Sequence, residues 1–200
     1  MTYTEAHVHI DNLLDKTGTA YFTDTEKNQF LDLAVMEYTK GLINTLESDA
    51  QSMEKIAPLI VKSDSLSQSS GSITLPIDVP IYHILRAYTV ANGYSINIMG
   101  YGEYASAKND PYHKADSKNP IGLLRGSYLD IVGSTENVYI DYIKVPILAD
   151  EVNITGSELV GGYNLNSSEE IVNIAVRKMM LSLEDPRYQA QNSELSAEKR

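Results

Sequence analysis

Two segments with the hydrophobic spacing of an α-helix, one near each end of the chain, enclose a long stretch with the alternation of β-strands. The first helical segment opens at Thr23, which forms a capping box with Glu26, and it continues to about residue 47. Its apolar residues recur every three or four positions, a spacing that places them on one face of a helix. They are Phe30, Ala34, Tyr38, Leu42 and Leu46. A shorter helix is predicted before it, over about residues 4–14.

The second helical segment is predicted over residues 167–185. A capping box of Ser167 and Glu170 begins it, and Asp185 ends it because a residue before proline disfavours the helical conformation. The residues after Asp185 are polar, and we expect residues 186–200 to form a flexible C-terminal tail or arm.

The β-rich region is predicted over residues 57–148. Its strongest signal is a pair of alternating runs on either side of a five-residue turn that contains Gly133, which predicts a hairpin ended by Pro146. Residues 75–90 suit either a short helix or a strand, since their periodicity does not decide between the two. We therefore predict an α+β fold. In this fold one domain, residues 1–185, packs its terminal helices together as a helical bundle and carries an inserted antiparallel β-rich region.

The composition restricts the class of protein. Hydrophobic residues make up 42% of the chain and charged residues 22%, as in globular proteins. No apolar run reaches the roughly 18 residues of a membrane-spanning helix, so no membrane partner is expected. The N-terminal sequence lacks the basic start and apolar block of a secretory signal. The absence of cysteine excludes disulfides and thiolate chemistry and fits a reducing cytoplasm.

The charge and the aromatic residues describe the surface. Sixteen basic residues against 27 acidic ones give a net charge of −11, which disfavours direct binding to nucleic acid. The chain has 14 tyrosines, two phenylalanines and no tryptophan. Tyrosine joins a large apolar body to a polar tip. We therefore expect most of the tyrosines to lie in the β-sheet and the remainder to lie on surfaces that contact other molecules.

The segment Asn109–Pro120, NDPYHKADSKNP, combines several residue types that can act in catalysis. His113 lies close in sequence to Asp110 and Asp116, and these residue types can perform acid–base chemistry. The same composition arises from turns, because Asn, Asp and Pro favour turn backbone. We interpret the segment as a turn-rich connection and predict no catalytic residue.

The other candidates for chemistry are also explained without it. His7 and His9 lie two apart in a predicted helix, where they point in different directions, and His83 is interpreted as a half-buried structural histidine. Asp130 and Asp141 lie on the two strands of the predicted hairpin and could be neighbours, in which case at least one faces solvent or a cation. No phosphate-binding or nucleophile motif is present. We predict no enzyme activity, no metal site and no cofactor.

Three stretches, taken together, resemble the ring or adaptor proteins of the head-to-tail connector in tailed bacteriophages, particularly those of crAss-like phages. The first is the start of the long helix, the second combines the segment after Asn109 with the strand before Pro146, and the third follows the last helix. The matching positions are Phe22, Thr23, Glu26, Asn28, Phe30, Leu31, Ala34, Asp110, Pro111, Tyr112, Tyr142, Ile143, Pro146, Glu184 to Gln189 and Glu194.

The resemblance implies a structural virion protein rather than an enzyme. The resemblance implies a homo-oligomeric ring of 12 subunits between the portal protein and the adjacent tail ring proteins. The ring lines a channel through which genomic DNA passes at ejection without specific binding, and it assembles in the bacterial host cytoplasm. The expected subunit or partner contacts are Asp110, Pro111, Tyr112, His113, Asp185, Pro186, Arg187, Tyr188 and Gln189.

Two other functions stay open. The chain could be a transient tail-assembly or completion factor that is absent from the mature particle. Less favoured is a small hydrolase that combines an Asp/Glu pair with His113.

Overall fold

A computed structural model describes residues 1–14, 22–46, 48–76, 80–110, 115–149 and 159–184. The described residues form five α-helices and a mixed, curled sheet of seven strands, so the predicted α+β class is confirmed. The chain divides into two compact units, Met1–Pro58 with Pro146–Arg200, and Leu59–Val145. The single domain over residues 1–185 stays a prediction. Residues 186–200, the predicted tail, lie outside the described residues.

The elements follow in chain order. The helices are α1 (Tyr3–Leu13), α2 (Asp24–Thr45), α3 (Ala50–Ile56), α4 (Tyr101–Asn109) and α5 (Leu165–Glu184). The strands are β1 (Ile60–Lys62), β2 (Ser72–Thr74), β3 (Ile81–Thr89), β4 (Ser95–Met99), β5 (Ile121–Arg125), β6 (Tyr128–Val132) and β7 (Val138–Lys144). Short 3₁₀ turns occupy Ala57–Leu59 and Val160–Gly162.

The first unit is a helical bundle in which α5 packs against α2 and α1, as predicted for the terminal helices. The predicted capping box at the start of α2 is present: the Thr23 hydroxyl accepts from the Glu26 amide, and the Glu26 carboxylate accepts from the Thr23 amide. The apolar stripes predicted for the two long helices are largely their buried faces. Buried residues include Leu31, Ala34, Val35, Tyr38 and Leu42 of α2 and Ile171, Val172, Ala175, Val176 and Met179 of α5.

Two details of the helices differ from the prediction. Helix α5 begins at Leu165, and the side chain of Asn164 accepts from the amide of Ser167 at 3.0 Å. The predicted capping box of Ser167 and Glu170 is therefore wrong, because asparagine caps as well as serine does and stands three residues earlier. Helix α3 was not predicted, since its seven residues are too few to show a period. The residue that marks its start is the N-cap Asp49, whose carboxylate accepts hydrogen bonds from two amides of the first turn.

The sheet of the second unit has the strand order β1-β7-β3-β4-β5-β6-β2. All neighbouring pairs are antiparallel except β4 and β5, which are parallel. Parallel neighbours need a crossover, and α4 lies between the two strands in sequence. Helix α4, whose N-cap is Gly100, was not predicted from the sequence. The undecided segment 75–90 contains strand β3.

The predicted hairpin of β6 and β7 is wrong, although both strands exist. Strand β6 pairs with β5 and β2, and β7 pairs with β1 and β3. Apolar side chains of β6 and β7, Leu129 and Ile140 among them, belong to one buried cluster, so the two strands share a core instead of a hydrogen-bonded ladder. Gly133 follows β6 with a φ of +98°, and a Cβ there would lie 2.7 Å from the Asp116 carbonyl oxygen. The backbone at Gly133 therefore passes so close to Asp116 that only glycine fits there.

One stretch of chain connects the two ends of the sheet. At one end Ser63 donates its amide to Ile140 of β7 at 2.8 Å. At the other end Gly71 accepts from the amide of Ile131 of β6 at 2.7 Å. Leu66 also donates its amide to Val138 of β7 at 2.9 Å, and the five residues from there to Gly71 are too few to cross a flat sheet from β7 to β6. The sheet therefore curls, and residues of β6 and β7 share one buried cluster.

Candidate functional site

Of the nine predicted contact residues, the structure describes only Asp110. The other eight, at 111–113 and 185–189, lie outside the described residues. Asp110 follows the last residue of α4 and is partly buried. It lines a cavity of about 520 Å³ whose wall combines polar groups, such as Asn97, with apolar ones, such as Met99 and Ile121.

Asp116, which also lines this cavity, has its carboxylate engaged in a turn. One carboxylate oxygen accepts from the amides of Lys118 at 2.9 Å and Asn119 at 2.8 Å. The hydrogen bonds from Asn119 and Lys118 lower the pKa of Asp116. These bonds favour the charged carboxylate, so Asp116 shapes the turn as the sequence indicated and is a poor proton donor.

The histidines that the structure describes lie on two elements, His7 and His9 on α1 and His83 on β3. His7, on α1, bonds through Nε2 to the side-chain oxygen of Asn28 at 2.7 Å, and its Nδ1 lies 3.6 Å from Asp24. His83 is exposed on β3, so the prediction of a half-buried histidine is wrong. His113 lies outside the described residues. Within the described residues, no three histidine or carboxylate side chains are grouped as metal ligands.

Buried polar groups in the first unit hold the bundle together. The Thr39 hydroxyl, on α2, lies 2.7 Å from the Tyr163 hydroxyl, and both residues are fully buried. The Tyr3 hydroxyl donates to the carbonyl of Ile147 at 2.8 Å, and burial, with the nearby Asp32, raises the pKa of Tyr3 above its ordinary value. Tyr3 therefore stays protonated, which suits a structural hydrogen bond and not proton transfer.

The two aspartates expected to be neighbours are separated, because β6 and β7 are not paired. Asp141 forms an ion pair with Arg86 at 2.5 Å, across the β3–β7 ladder. Asp130 forms one with Arg125 at 3.0 Å, across the β5–β6 ladder. Each carboxylate thus faces a cation of its own ladder, and the two do not form an acid–base pair.

The first of these ion pairs belongs to a larger group on the convex side of β1, β7 and β3, which we term the cation–tyrosine face. It consists of Lys62, Arg86, Tyr88, Tyr139 and Asp141. The Lys62 ammonium lies 4.0 Å from the centre of the Tyr139 ring, and the Arg86 guanidinium lies 4.8 Å from that of Tyr88. The two rings are 5.7 Å apart. Asp141 is the register partner of both cations, so one carboxylate lies between them.

A second group, which we term the α4 face, lies where α4 covers β5 and β6. It consists of Tyr101, Arg125, Tyr128 and Asp130. Tyr101 is 65% exposed and Tyr128 50% exposed, and the Arg125 guanidinium lies 5.9 Å from the Tyr101 ring. Beneath them a small apolar cluster that includes Tyr104 and Leu123 fixes α4 on the sheet.

The sequence did not predict that the residues of either face lie together, although it identified Asp130 and Asp141 as candidate residues. The available signal was the alternation within β7, where Tyr139 and Asp141 lie between the buried Val138, Ile140 and Tyr142. That alternation identifies outward residues, but it does not say which strands lie beside them.

No protein-family model matches the chain, and a comparison with curated proteins finds no significant match. Among the described residues, none of the helices combines the length and the apolar character needed to cross a membrane.

Proposed function

We propose that the chain is a structural subunit of a phage head-to-tail connector, and that it acts as a ring or adaptor between portal and tail. In this role it binds copies of itself and the neighbouring ring proteins, and it carries out no reaction. The proposal rests on the resemblance of its sequence to such proteins and on the surface chemistry of its second unit.

The observation that carries the proposal is the presence of two different tyrosine-bearing surfaces on one small unit, the cation–tyrosine face and the α4 face. A ring that closes by rotation uses two different surfaces of each subunit, since every subunit contacts one neighbour with each. Tyrosine and arginine are the residues that most often dominate the binding energy of protein interfaces. Two such surfaces on separate strands are therefore suited to head-to-tail assembly.

The net charge supports the proposed channel. With 27 acidic and 16 basic residues, a ring of these subunits carries the same sign of charge as DNA. Repulsion of like charges disfavours tight binding of DNA and permits its passage.

Mass photometry of the purified chain, alone and mixed with the portal protein of the same phage, tests this proposal. The expected result is a species with about twelve times the mass of the monomer, the stoichiometry that the resemblance implies. A chain that stays monomeric in both conditions would refute the ring. Electron microscopy of intact particles separates the ring from a transient assembly factor, because only the ring protein remains in the mature virion.

A further inference from the structure

We propose that Asn92 is a site of spontaneous chemical modification, at which the side-chain amide becomes a carboxylate, and that Glu136 controls how fast this happens. The inference goes beyond the proposed function and does not depend on it. Asn92 lies in the turn between β3 and β4, and it is the chain's only asparagine that is followed by glycine. The residues involved all lie in the second unit.

The reaction at an Asn-Gly pair needs no enzyme and no co-reactant except water. The backbone nitrogen of Gly93 loses its proton to solvent and forms a bond to Cγ of Asn92. The bond from Cγ to Nδ2 breaks, and Nδ2 takes up a proton and leaves as ammonia. Water then opens the resulting succinimide ring to aspartate or, if the other ring bond breaks, to isoaspartate. Glycine favours ring closure because it has no side chain to hinder its nitrogen.

The surroundings of the pair leave room for this reaction. Asn92 is exposed, so water reaches its side chain. Gly93 has a φ of +69° and nothing within 4 Å of its Cβ position. No packed neighbour therefore blocks the ring, and the rate depends on the hydrogen bonds that the two reacting groups make.

Two hydrogen bonds hold the reacting groups. The Nδ2 group of Asn92 donates to Oε1 of Glu136 at 2.7 Å, and the amide of Gly93 donates to the carbonyl of Thr89 at 3.0 Å. The first bond has a charged acceptor, which makes it the stronger type of hydrogen bond. It fixes the orientation of the Asn92 side chain, and the carboxylate cannot supply the proton that the departing ammonia needs. Glu136 therefore slows the reaction.

Glu136 is held in place by its own loop. Its amide donates to the hydroxyl of Ser134 at 3.1 Å. The carbonyl of the next residue, Asn137, accepts from the amide of Val90 at 2.9 Å. These bonds join the turn after β3 to the segment before β7, so the contact between Asn92 and Glu136 connects two parts of the chain that the fold already holds together.

Conversion of Asn92 changes this contact from attraction to repulsion. The product places a second carboxylate where the Glu136 carboxylate had an amide donor, and like charges at that distance repel. The other oxygen of Glu136, Oε2, is buried and has no hydrogen-bond partner in the part of the chain that the structure describes. The modified chain therefore has a weaker connection between the turn after β3 and the segment before β7.

The test measures the rate of conversion in the folded, full-length chain. Purified protein is kept in warm, mildly alkaline buffer and digested with trypsin at intervals. Mass spectrometry then follows the peptide of residues 87–108, which trypsin releases by cutting after Arg86 and Lys108. We expect conversion at Asn92 in the wild type and conversion about tenfold faster in Glu136→Ala, the factor for one hydrogen bond to a charged group.

Two further variants show whether the Glu136 contact is responsible. Glu103→Ala removes another exposed carboxylate of the second unit, on α4, and should change the rate by less than about twofold. Glu136→Gln keeps an oxygen acceptor without the charge, so its rate should lie between those of the wild type and Glu136→Ala. Melting followed by circular dichroism checks that each variant is folded at the temperature of incubation.

A second measurement does not depend on the reaction rate. Asn92→Asp introduces the product directly, and we expect it to lower the melting temperature by about 2–4 °C more than Asn92→Ala does. In a Glu136→Gln background this additional loss should disappear, because the opposing charge is absent.

Three outcomes overturn the inference. If Asn92 stays unmodified in the wild type and in Glu136→Ala, while the same chain unfolded in urea is converted, Asn92 is no modification site in the folded protein. Equal rates in the wild type and Glu136→Ala refute the control by Glu136. Acceleration by Glu103→Ala as large as that by Glu136→Ala shows a general effect of charge instead of the contact.

Discussion

Replacing Gly133 with alanine should destabilise the second unit because two separate requirements for glycine meet at this residue. Its φ of +98° lies in a region that residues with a Cβ rarely adopt. The added Cβ would also lie 2.7 Å from the carbonyl oxygen and 2.9 Å from the amide nitrogen of Asp116. Both neighbours are backbone atoms, so relief requires movement of either the strand end or the turn at Asp116.

The two effects have different magnitudes, and a second glycine separates them. The backbone conformation costs alanine about 1–2 kcal/mol, the forced contact about 1–3 kcal/mol, and the stiffer unfolded chain returns about 0.4–1 kcal/mol. We expect Gly133→Ala to lower the free energy of unfolding by about 3 kcal/mol. Gly126 has a φ of +57° and nothing within 4 Å of its Cβ position. Gly126→Ala should therefore cost only about 1 kcal/mol.

Urea unfolding followed by far-ultraviolet circular dichroism measures both losses, with the wild-type chain titrated in parallel. The informative quantity is the difference in free energy of unfolding between the two variants, because both variants share the cost of the backbone conformation. If Gly133→Ala and Gly126→Ala destabilise the protein equally, the contact with Asp116 carries no cost and does not require glycine.

Three further predictions concern single side chains. Gly41 lies inside α2 with nothing within 4 Å of its Cβ position, so Gly41→Ala should raise the free energy of unfolding by about 0.5–1 kcal/mol in a urea titration. Thr39→Val removes the buried hydrogen bond to Tyr163 and should cost about 1–3 kcal/mol, whereas Thr39→Ser keeps the hydroxyl and should cost less. Asp116→Asn should lose stability at pH 7, because the pKa of Asp116 is lowered in the folded protein by amide hydrogen bonds. That contribution is present above the ordinary pKa of 3.8 and disappears as the pH falls through the folded pKa, so urea midpoints of variant and wild type should converge in acid.

The helices were predictable because their signals are local. The capping box at Thr23 and the apolar stripe of α2 lie within one continuous segment, and both are present in the structure. The start of α5 was misplaced because Asn164 and Ser167 are both good caps, and only the packing of the bundle decides between them. The strands could also be identified from local patterns, since buried and more exposed residues alternate along β6 and β7.

Strand pairing was not predictable in the same way. A short turn with Gly133 favours a hairpin if only the neighbouring residues count, but the partners of β6 and β7 come from elsewhere in the chain. The cation–tyrosine face has the same origin, because Lys62, Arg86 and Asp141 become neighbours only through the ladders of β7 with β1 and β3. Alternation places each of these side chains outward, and only the strand order brings them together.

The division of the bundle between the two ends of the chain has a consequence for synthesis. Helix α2 ends at Thr45 and α5 begins at Leu165, so 119 residues lie between the two helices that pack together. At a rate of about 5–20 residues per second, a ribosome needs roughly 6–24 s to add them. Throughout that interval the face of α2 that includes Leu31 and Val35 lacks its α5 partner, so part of the apolar surface that the folded bundle buries stays exposed during synthesis.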